Sequence, residues 1–292
     1  MMKRARSILQ TEKAWNQRCF GQEITVAVLD TGAYPHPDYK SRVVYFKDFI
    51  HGRIEMYDDY GHGTHVTGIL GGDGSLNPDC TGIAPKIRIV SLKVLDRNGN
   101  GRREDVVQGI CWVIDHRKQY GIRIMNISVG TVKEGDRKDE ILVKMAEEAW
   151  NEGIVVVAAA GNMGPRPYTI TAPGISPSII TVGSSDEMET SNSGRGPTRD
   201  CVCKPDIVAP GAGIFSCSSR YRKKDGYYCR KSGTSMATPM VSGAAALLLC
   251  REPWITNVEV KMRLWESAVD LGMEQNRQGW GLLNIPSFLH LR

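Results

Sequence analysis

The amino-acid sequence predicts a three-layer α/β/α protein in which a mostly parallel central sheet is covered by helices on both faces. Short runs rich in valine and isoleucine recur along the chain, as expected of strands buried on both faces. They cover residues 24–29, 87–94, 122–127, 154–160 and 178–182. Between them, residues 104–116 and 141–150 place apolar side chains on one helical face. This alternation of strand and helix is typical of a doubly wound sheet.

Length and composition limit the classes of function. The chain has 292 residues, and we expect residues 1–292 to form one domain, as parallel α/β enzymes of this length often do. The net charge of +5 is too small to favour nucleic-acid binding, and no apolar run reaches the length of about 18 residues that spans a membrane. The basic N-terminus lacks the apolar stretch of a secretory signal. These features predict a cytoplasmic protein with neither nucleic-acid nor membrane partners.

The eight cysteines are expected to be free thiols, since no export signal is visible. Four of them lie near one another in the sequence and could be considered as ligands of one metal site: Cys201, Cys203, Cys217 and Cys229. Their spacing matches no standard zinc pattern, so the sequence identifies no metal ligand among them.

Polar side chains follow three of the predicted strands. Asp30 ends the first strand, and Asn162 follows the fourth. Asn126 and Ser128 end the third. Because active sites of parallel sheets form beyond the carboxyl ends of the strands, we expect these side chains to converge there.

Three segments supply the parts of a serine nucleophile system. A serine hydroxyl attacks at neutral pH only when a base removes its proton and a third group orients that base. Ser235 follows Gly233 at the start of a small-residue helix, where the helix dipole favours developing negative charge. His62 begins another small-residue helix, and Asp30 ends a buried strand. The set predicts nucleophilic catalysis.

The motifs VLDTG, GHGTHVTG, AAAGN and GTSMATP occur in this order and resemble those of the subtilisin family of serine proteases. The similarity extends over roughly residues 20–285 and is greatest to intracellular-type subtilisins that lack a secretion signal. It implies a subtilisin-like fold and a serine endopeptidase that hydrolyses peptide bonds through an acyl-enzyme. In this resemblance Asp30 orients His62, His62 is the base toward Ser235, and the Asn162 amide joins the Ser235 backbone N–H in binding the oxyanion.

The resemblance also implies a cleft for an extended protein or peptide substrate. Its substrate-binding residues are Gly99, Asn100, Gly101, Ser128, Val129, Gly130, Ala159, Ala160, Gly161 and Thr234. Arg103 at the cleft edge indicates tolerance for acidic or polar side chains a few positions before the cut. Thr171 falls near the floor of the pocket for the residue just before the cut, where no acid is evident, so uncharged or apolar residues are expected there. No cofactor is required for this chemistry.

Alternative interpretations exist for several of these residues. His62 and His65 have the helical spacing of a metal pair, but no third ligand is evident, and His65 is expected to be a packed helix residue. Asp58 and Asp59 either cap the histidine helix, which we favour, or lend negative charge to the cleft. The alternative function is a catalytically idle peptide-binding or regulatory module, although such a module does not require the triad.

Some segments depart from the family pattern or lack a clear assignment. Where the family often has a calcium loop, the sequence reads GGDGSLNPDCTG. Oxygen ligands for a structural calcium ion are nevertheless available from Asp38, Asp73, Asn77 and Asp79. Residues 1–19 form an N-terminal extension and are the candidate for a short autoinhibitory segment. Residues 133–140 and 218–231 are expected to be surface loops. The sequence leaves the oligomeric state open.

Overall fold

A parallel sheet of seven strands forms the centre of the structure, a computed structural model that describes residues 2–130, 139–186, 192–220 and 226–291. The strands are β1 (Thr25–Asp30), β2 (Val43–Asp48), β3 (Arg88–Lys93), β4 (Ile122–Ile127), β5 (Val155–Ala159), β6 (Ile180–Ser184) and β7 (Ile207–Ala209), with a separate antiparallel hairpin of β8 (Ile214–Cys217) and β9 (Tyr228–Lys231). The helices are α1 (Met2–Leu9), α2 (Thr11–Asn16), α3 (His62–Gly71), α4 (Arg103–Tyr120), α5 (Asp139–Asn151), α6 (Thr234–Arg251), α7 (Asn257–Ser267), α8 (Gln275–Gln278) and α9 (Ile285–Phe288).

The strand order in the large sheet is β2-β3-β1-β4-β5-β6-β7, and every neighbouring pair is parallel. Helices α4 and α5 pack together against β1, β4 and β5, while α3 and α6 pack together against strands of the same sheet. The predicted three-layer fold class is therefore confirmed. Within the described ranges, no helix combines the length and apolar character needed to cross a bilayer.

The five predicted strands and two predicted helices are present, with ends shifted by a few residues. Strand β2 was not predicted because it lies at the sheet edge and its side chains are mostly half-buried, which weakens the apolar signal. The prediction of a loop over residues 218–231 is wrong for Tyr228–Lys231, which pairs with β8. Residues 133–138 and 221–225 of the two expected loops lie outside the described residues.

The N-terminal extension is part of the hydrophobic core. Met2, Leu9 and Ala14 are fully buried. Arg6 is also buried, and its guanidinium donates hydrogen bonds to the carbonyl oxygens of Thr81 at 2.7 Å, Asp79 at 3.3 Å and Pro78 at 3.4 Å. The described residues that line the large cleft begin at Thr31. The autoinhibitory role of this extension stays a prediction.

The loop of residues 73–81 offers a poor coordination shell for calcium. Calcium takes six to eight oxygen ligands, but the oxygens here already accept protein hydrogen bonds. Asp38 accepts from the hydroxyls of Tyr228 at 2.9 Å and Ser75 at 3.2 Å, and Asn77 accepts from the Asp79 backbone N–H. The loop carbonyls accept from Arg6. Moreover, the groups nearest Asp38 include a nitrogen of His36 and the sulfur of Cys217, neither of which calcium prefers. We propose that Arg6, together with Lys3 and Arg42, supplies positive charge at this loop and that calcium is not needed there.

Replacing Arg6 by alanine is expected to lower the free energy of unfolding by about 2–4 kcal/mol, because the buried guanidinium loses its hydrogen bonds to three loop carbonyl groups and its ion pair with Glu12. Thermal unfolding of the variant should show a melting temperature several degrees below that of the native chain. Lys3→Ala is the matched control, since the Lys3–Asp79 ion pair is exposed and should contribute less than about 1 kcal/mol. A large stabilisation of the native chain by calcium over EDTA would contradict the proposal.

Candidate active site

The ends of β1, β4 and β5 bring the predicted polar residues to one edge of the sheet. Leu29 on β1 pairs with Ile127 on β4, which pairs in turn with Ala158 on β5. Asp30 and Ser128 are the residues that directly follow Leu29 and Ile127, and Asn162 comes four residues after Ala158. The convergence expected from the sequence is therefore produced by the parallel register itself.

Helix α3 begins at His62 and lies very close to the turn after β1. A Cβ atom on Gly63 would lie 2.0 Å from the carbonyl oxygen of Gly32, so only glycine fits at this position. Gly61, which precedes the helix, has a φ of 90°. The two glycines flanking His62 allow its imidazole to approach the end of β1.

His62 and Asp30 form the central polar contact of the site. Nδ1 of His62 lies 2.7 Å from Oδ1 of Asp30, which also accepts the Thr31 backbone N–H at 2.7 Å. Burial alone would lower the pKa of His62, but the charge and the hydrogen bond of Asp30 outweigh it and raise the pKa above its usual value. Asp30 therefore fixes the tautomer with Nδ1 protonated and stabilises the imidazolium, as a triad acid does.

The loop before α3 is held by two acidic residues that act differently. Asp58 is buried and accepts the backbone N–H groups of Gly61 at 2.7 Å and Thr64 at 2.8 Å, so it caps the helix as predicted. The capping prediction is wrong for Asp59. Its carboxylate lies 2.7 Å from the buried Nζ of Lys93, which also donates to the carbonyl oxygens of Thr31 and Leu95.

His65 is fully buried one turn after His62, as expected of a packed helix residue. Burial lowers its pKa to about 3, so it is neutral at physiological pH. Its Nε2 lies 3.1 Å from the carbonyl oxygen of Ile214 and 3.2 Å from that of Cys229. His65 thus ties α3 to the β8–β9 hairpin.

Ser235 lies in the first turn of α6, where backbone N–H groups have no partner within the helix. Its side chain is 8% exposed, and its hydroxyl donates to the carbonyl oxygen of Ser128 at 2.9 Å. Proton transfer to His62 requires the hydroxyl to turn away from this carbonyl. Behind Ser128, Asn126 donates to the Ser128 hydroxyl and accepts from Ser242 on α6, each at 2.8 Å. This buried chain joins β4 to the serine helix.

The predicted oxyanion residue Asn162 is held by its neighbour in space, Thr234. The Asn162 Oδ1 atom accepts the Thr234 backbone N–H at 3.1 Å and its hydroxyl at 3.3 Å. An amide whose oxygen is held in this way presents its NH₂ group on the other side. The contact leaves Nδ2 of Asn162 available to donate.

One cleft of about 770 Å³ contains His62, Asn162 and Ser235 together with both predicted substrate edges. The lining residues include Gly99, Asn100 and Gly101 and also Ser128, Val129 and Gly130. A smaller cavity of about 170 Å³ adjoins Ser235 and is lined by Ser128, Gly130, Ala159, Gly161, Asn162, Met163, Thr171 and Thr234. The sequence prediction that Thr171 lies at the base of such a pocket agrees with this placement.

Two predicted residues lie differently from what the sequence indicates. Ala160 is fully buried, and its carbonyl oxygen accepts the Thr171 backbone N–H, so it supports the small cavity from behind. Arg103 lies at the cleft, but its Nε is 2.6 Å from the Asp139 carboxylate. The ion pair offsets the positive charge that would favour acidic substrates.

Sequence reasoning missed several residues of the site. Tyr60 lines the cleft near His62, and its ring lies 5.7 Å from the ammonium of Lys231 on β9. Lys231 lies close enough to His62 to oppose the rise of the His62 pKa. Tyr60 directly precedes the GHGTH motif, so adjacency was the one available signal. Nothing in the sequence links Lys231 to this motif.

Comparison with known proteins places the site in a family. The family model described as "Subtilase family" matches residues 21–281. The chain is 38% identical to serine protease AprX of Bacillus subtilis (strain 168), with 92% of this chain and 66% of that protein covered. It is 34% identical to subtilisin DY of Bacillus licheniformis, with 95% of each chain covered. The solved structure of sphericase is 30% identical, with a TM-score of 0.79 over 90% of this chain and 92% of its own.

The match covers nearly all of the described core, and the residues at the carboxyl edge of the sheet are those that the family motifs supply. The chain belongs to the subtilase family of serine endopeptidases.

Proposed function

We propose that this chain hydrolyses peptide bonds with Ser235 as nucleophile, His62 as general base and Asp30 as the orienting acid. The 2.7 Å contact between Asp30 and His62, in the same cleft as Ser235, carries this proposal. The Ser235 hydroxyl attacks the scissile carbonyl while Nε2 of His62 takes its proton. The imidazolium then protonates the leaving amine, and a water molecule hydrolyses the acyl-enzyme with His62 again acting as base.

The negative charge that forms on the carbonyl oxygen is stabilised from two directions. The Ser235 backbone N–H lies at the N-terminus of α6, where the helix dipole is positive. The Asn162 amide lies across the cleft, with its oxygen held by Thr234. Donors fixed before the reaction cost little reorganisation as the charge develops.

The substrate is proposed to be an extended segment of a protein or peptide. Residues 99–101 and 128–130 both line the large cleft, which supports an extended strand that pairs with them through its backbone. Among the described residues, none that lines the small cavity is acidic or basic, which supports an uncharged residue before the cut. The buried hydroxyl oxygen of Thr171 has no hydrogen-bond partner among the described residues and faces Gly130 and Gly161. Thr171 also lines the small cavity, so a rotation of its side chain would bring the hydroxyl within reach of a polar substrate group.

The proposed location is the cytoplasm, as for intracellular-type subtilisins. All eight cysteines are free thiols in the structure, which is the state that a reducing compartment maintains.

The nucleophile is tested by Ser235→Ala. The native chain should react with a fluorophosphonate probe and cleave an unstructured protein, and both activities should fall to background in the variant, because the variant lacks the hydroxyl that lies in the cleft with His62 and Asn162. Ser287→Ala, an exposed serine on α9, is the control and should retain both. Failure of the folded native chain to label would favour the idle peptide-binding module.

Asn162→Ala is expected to lower kcat by about 10²–10³-fold with little change in KM, a magnitude known for the oxyanion asparagine of subtilisin, a member of this family. Thr234→Val removes only the hydroxyl contact and leaves the backbone N–H, so kcat should fall about 5-fold, the equivalent of one hydrogen bond. Steady-state kinetics on a chromogenic peptide separate kcat from KM. If Thr234→Val raised KM by the same factor as it lowered kcat, the Thr234 hydroxyl would be a substrate contact instead.

Thr171→Val is expected to change the preference for the residue before the cut. The variant should lose about 3- to 10-fold in kcat/KM for glutamine or serine at that position, since a hydrogen bond is lost. Leucine and alanine substrates should be unaffected and are the internal control. A peptide library varied at this one position makes the measurement, and a uniform loss for all residues would contradict the assignment.

A further inference from the structure

Two cysteines meet where the N-terminal extension joins the end of α6. Cys19 follows α2 and is 5% exposed. Its sulfur lies 3.0 Å from the carbonyl oxygen of Leu247 on α6. Cys250 lies three residues further along the same helix, on a neighbouring position of its surface, and is partly exposed. Because residues three apart on a helix are neighbours, the Leu247 carbonyl that the Cys19 sulfur contacts lies beside the Cys250 side chain, and each thiol shifts the pKa of the other.

The backbone after Cys19 forms a cradle around the Cys250 sulfur. The N–H groups of Phe20, Gly21 and Gln22 lie near it, although that of Phe20 also donates to the Gln22 side chain at 2.9 Å, and successive N–H groups of this kind bind anions. Gly21 has a φ of 80°, and a Cβ atom there would lie 2.8 Å from the Ile87 side chain. The cradle therefore depends on glycine at position 21.

This environment distinguishes Cys250 from the buried thiols. The hydrogen bond from Cys19 is the strongest effect on Cys250, and with the three N–H groups it outweighs burial and lowers the pKa to about 7. By contrast, burial raises the pKa of Cys80 to about 11 and raises that of Cys217 well above its usual value. Reactive cysteines are thiolates that are accessible to solvent and have a second thiol nearby.

We propose that Cys250 and Cys19 form a peroxide-sensitive pair that closes into a disulfide between the N-terminal extension and α6. The Cys250 thiolate attacks hydrogen peroxide, giving a sulfenic acid and, after protonation, water. The Cys19 thiol then attacks the sulfenic sulfur, so that the S–S bond forms and the hydroxide leaves with the Cys19 proton as a second water molecule. Two electrons pass from the thiols to the peroxide, and a dithiol reductant reverses the change.

The disulfide is expected to stabilise the fold without altering catalysis. Ser235 lies 15 residues before Cys250 on the same helix, a distance of about 22 Å at 1.5 Å per residue. The bond ties the extension that carries Arg6 to the helix that carries Ser235, and it restricts the unfolded chain. The melting temperature should rise by at least about 2 °C on oxidation.

The test uses the reduced native chain, freed of reductant, treated with one equivalent of hydrogen peroxide and blocked with N-ethylmaleimide. Mass spectrometry of the unreduced digest should find one peptide pair joining Cys19 to Cys250, and dithiothreitol should reverse both the link and the rise in melting temperature. Cys201→Ser, which changes an exposed cysteine outside the pair, is the control and should form the link normally.

The two single variants separate the steps. In Cys19→Ser the sulfenic acid on Cys250 has no partner thiol, so dimedone should label Cys250; in Cys250→Ser the Cys19 thiol should stay unmodified. In the native chain, limiting iodoacetamide at pH 7 should alkylate Cys250 before the buried cysteines, a measurement that needs no variant. Absence of the link with Cys250 unmodified, or a link between Cys80 and Cys217 instead, would overturn the proposal.

Discussion

The hydrogen bond between His62 and Asp30 requires α3, the helix that begins at His62, to pack in direct contact with the turn that follows β1. Strand β1 places Asp30 at the edge, and Gly63 lets α3 lie against the turn that follows. Within the described residues, Oδ2 of Asp30 has no hydrogen-bond partner, so His62 and the Thr31 N–H on Oδ1 are the donors that stabilise this buried carboxylate. A buried carboxylate with few donors interacts strongly with a cation, which explains why the His62 pKa rises despite burial.

The charged side chains around this contact pair with one another. In the described part of the chain they hold the backbone in place and do not form hydrogen bonds with His62. Lys93 is fully buried beside Asp30 in the register of β1 and β3, yet its ammonium is satisfied by Asp59 and two carbonyl oxygens. Because the Asp59 side chain is 33% exposed, its removal would leave the buried Lys93 ammonium with the two carbonyl oxygens alone, whereas the charge of Asp59 is itself partly solvated. The pair and the Asp58 cap therefore hold the loop that presents Tyr60 and His62 to the cleft.

The sequence allowed five of the seven strands of the large sheet, the two outer helices and the four catalytic motifs to be predicted, because each depends on local signals. Buried strands give continuous apolar runs, and the residues at their ends carry the chemistry. What it could not predict depends on long-range contacts. Arg6 meets the loop carbonyls across 73 residues to Asp79, and Thr234 meets Asn162 across 72. The direction of such hydrogen bonds is set by tertiary geometry, and no pattern in either segment indicates it.

Arg6 and Cys19 give the N-terminal extension a structural role that its position outside the main sheet does not suggest. Arg6 places a fixed charge on the loop after α3, and Cys19 contacts the end of α6, so the extension contacts the elements that carry His62 and Ser235 at points remote from the cleft. A guanidinium, unlike a bound metal ion, cannot dissociate from the chain. Stability at this loop then depends on whether the extension stays docked, and a covalent bond at Cys19 would hold it docked when the thiols are oxidised.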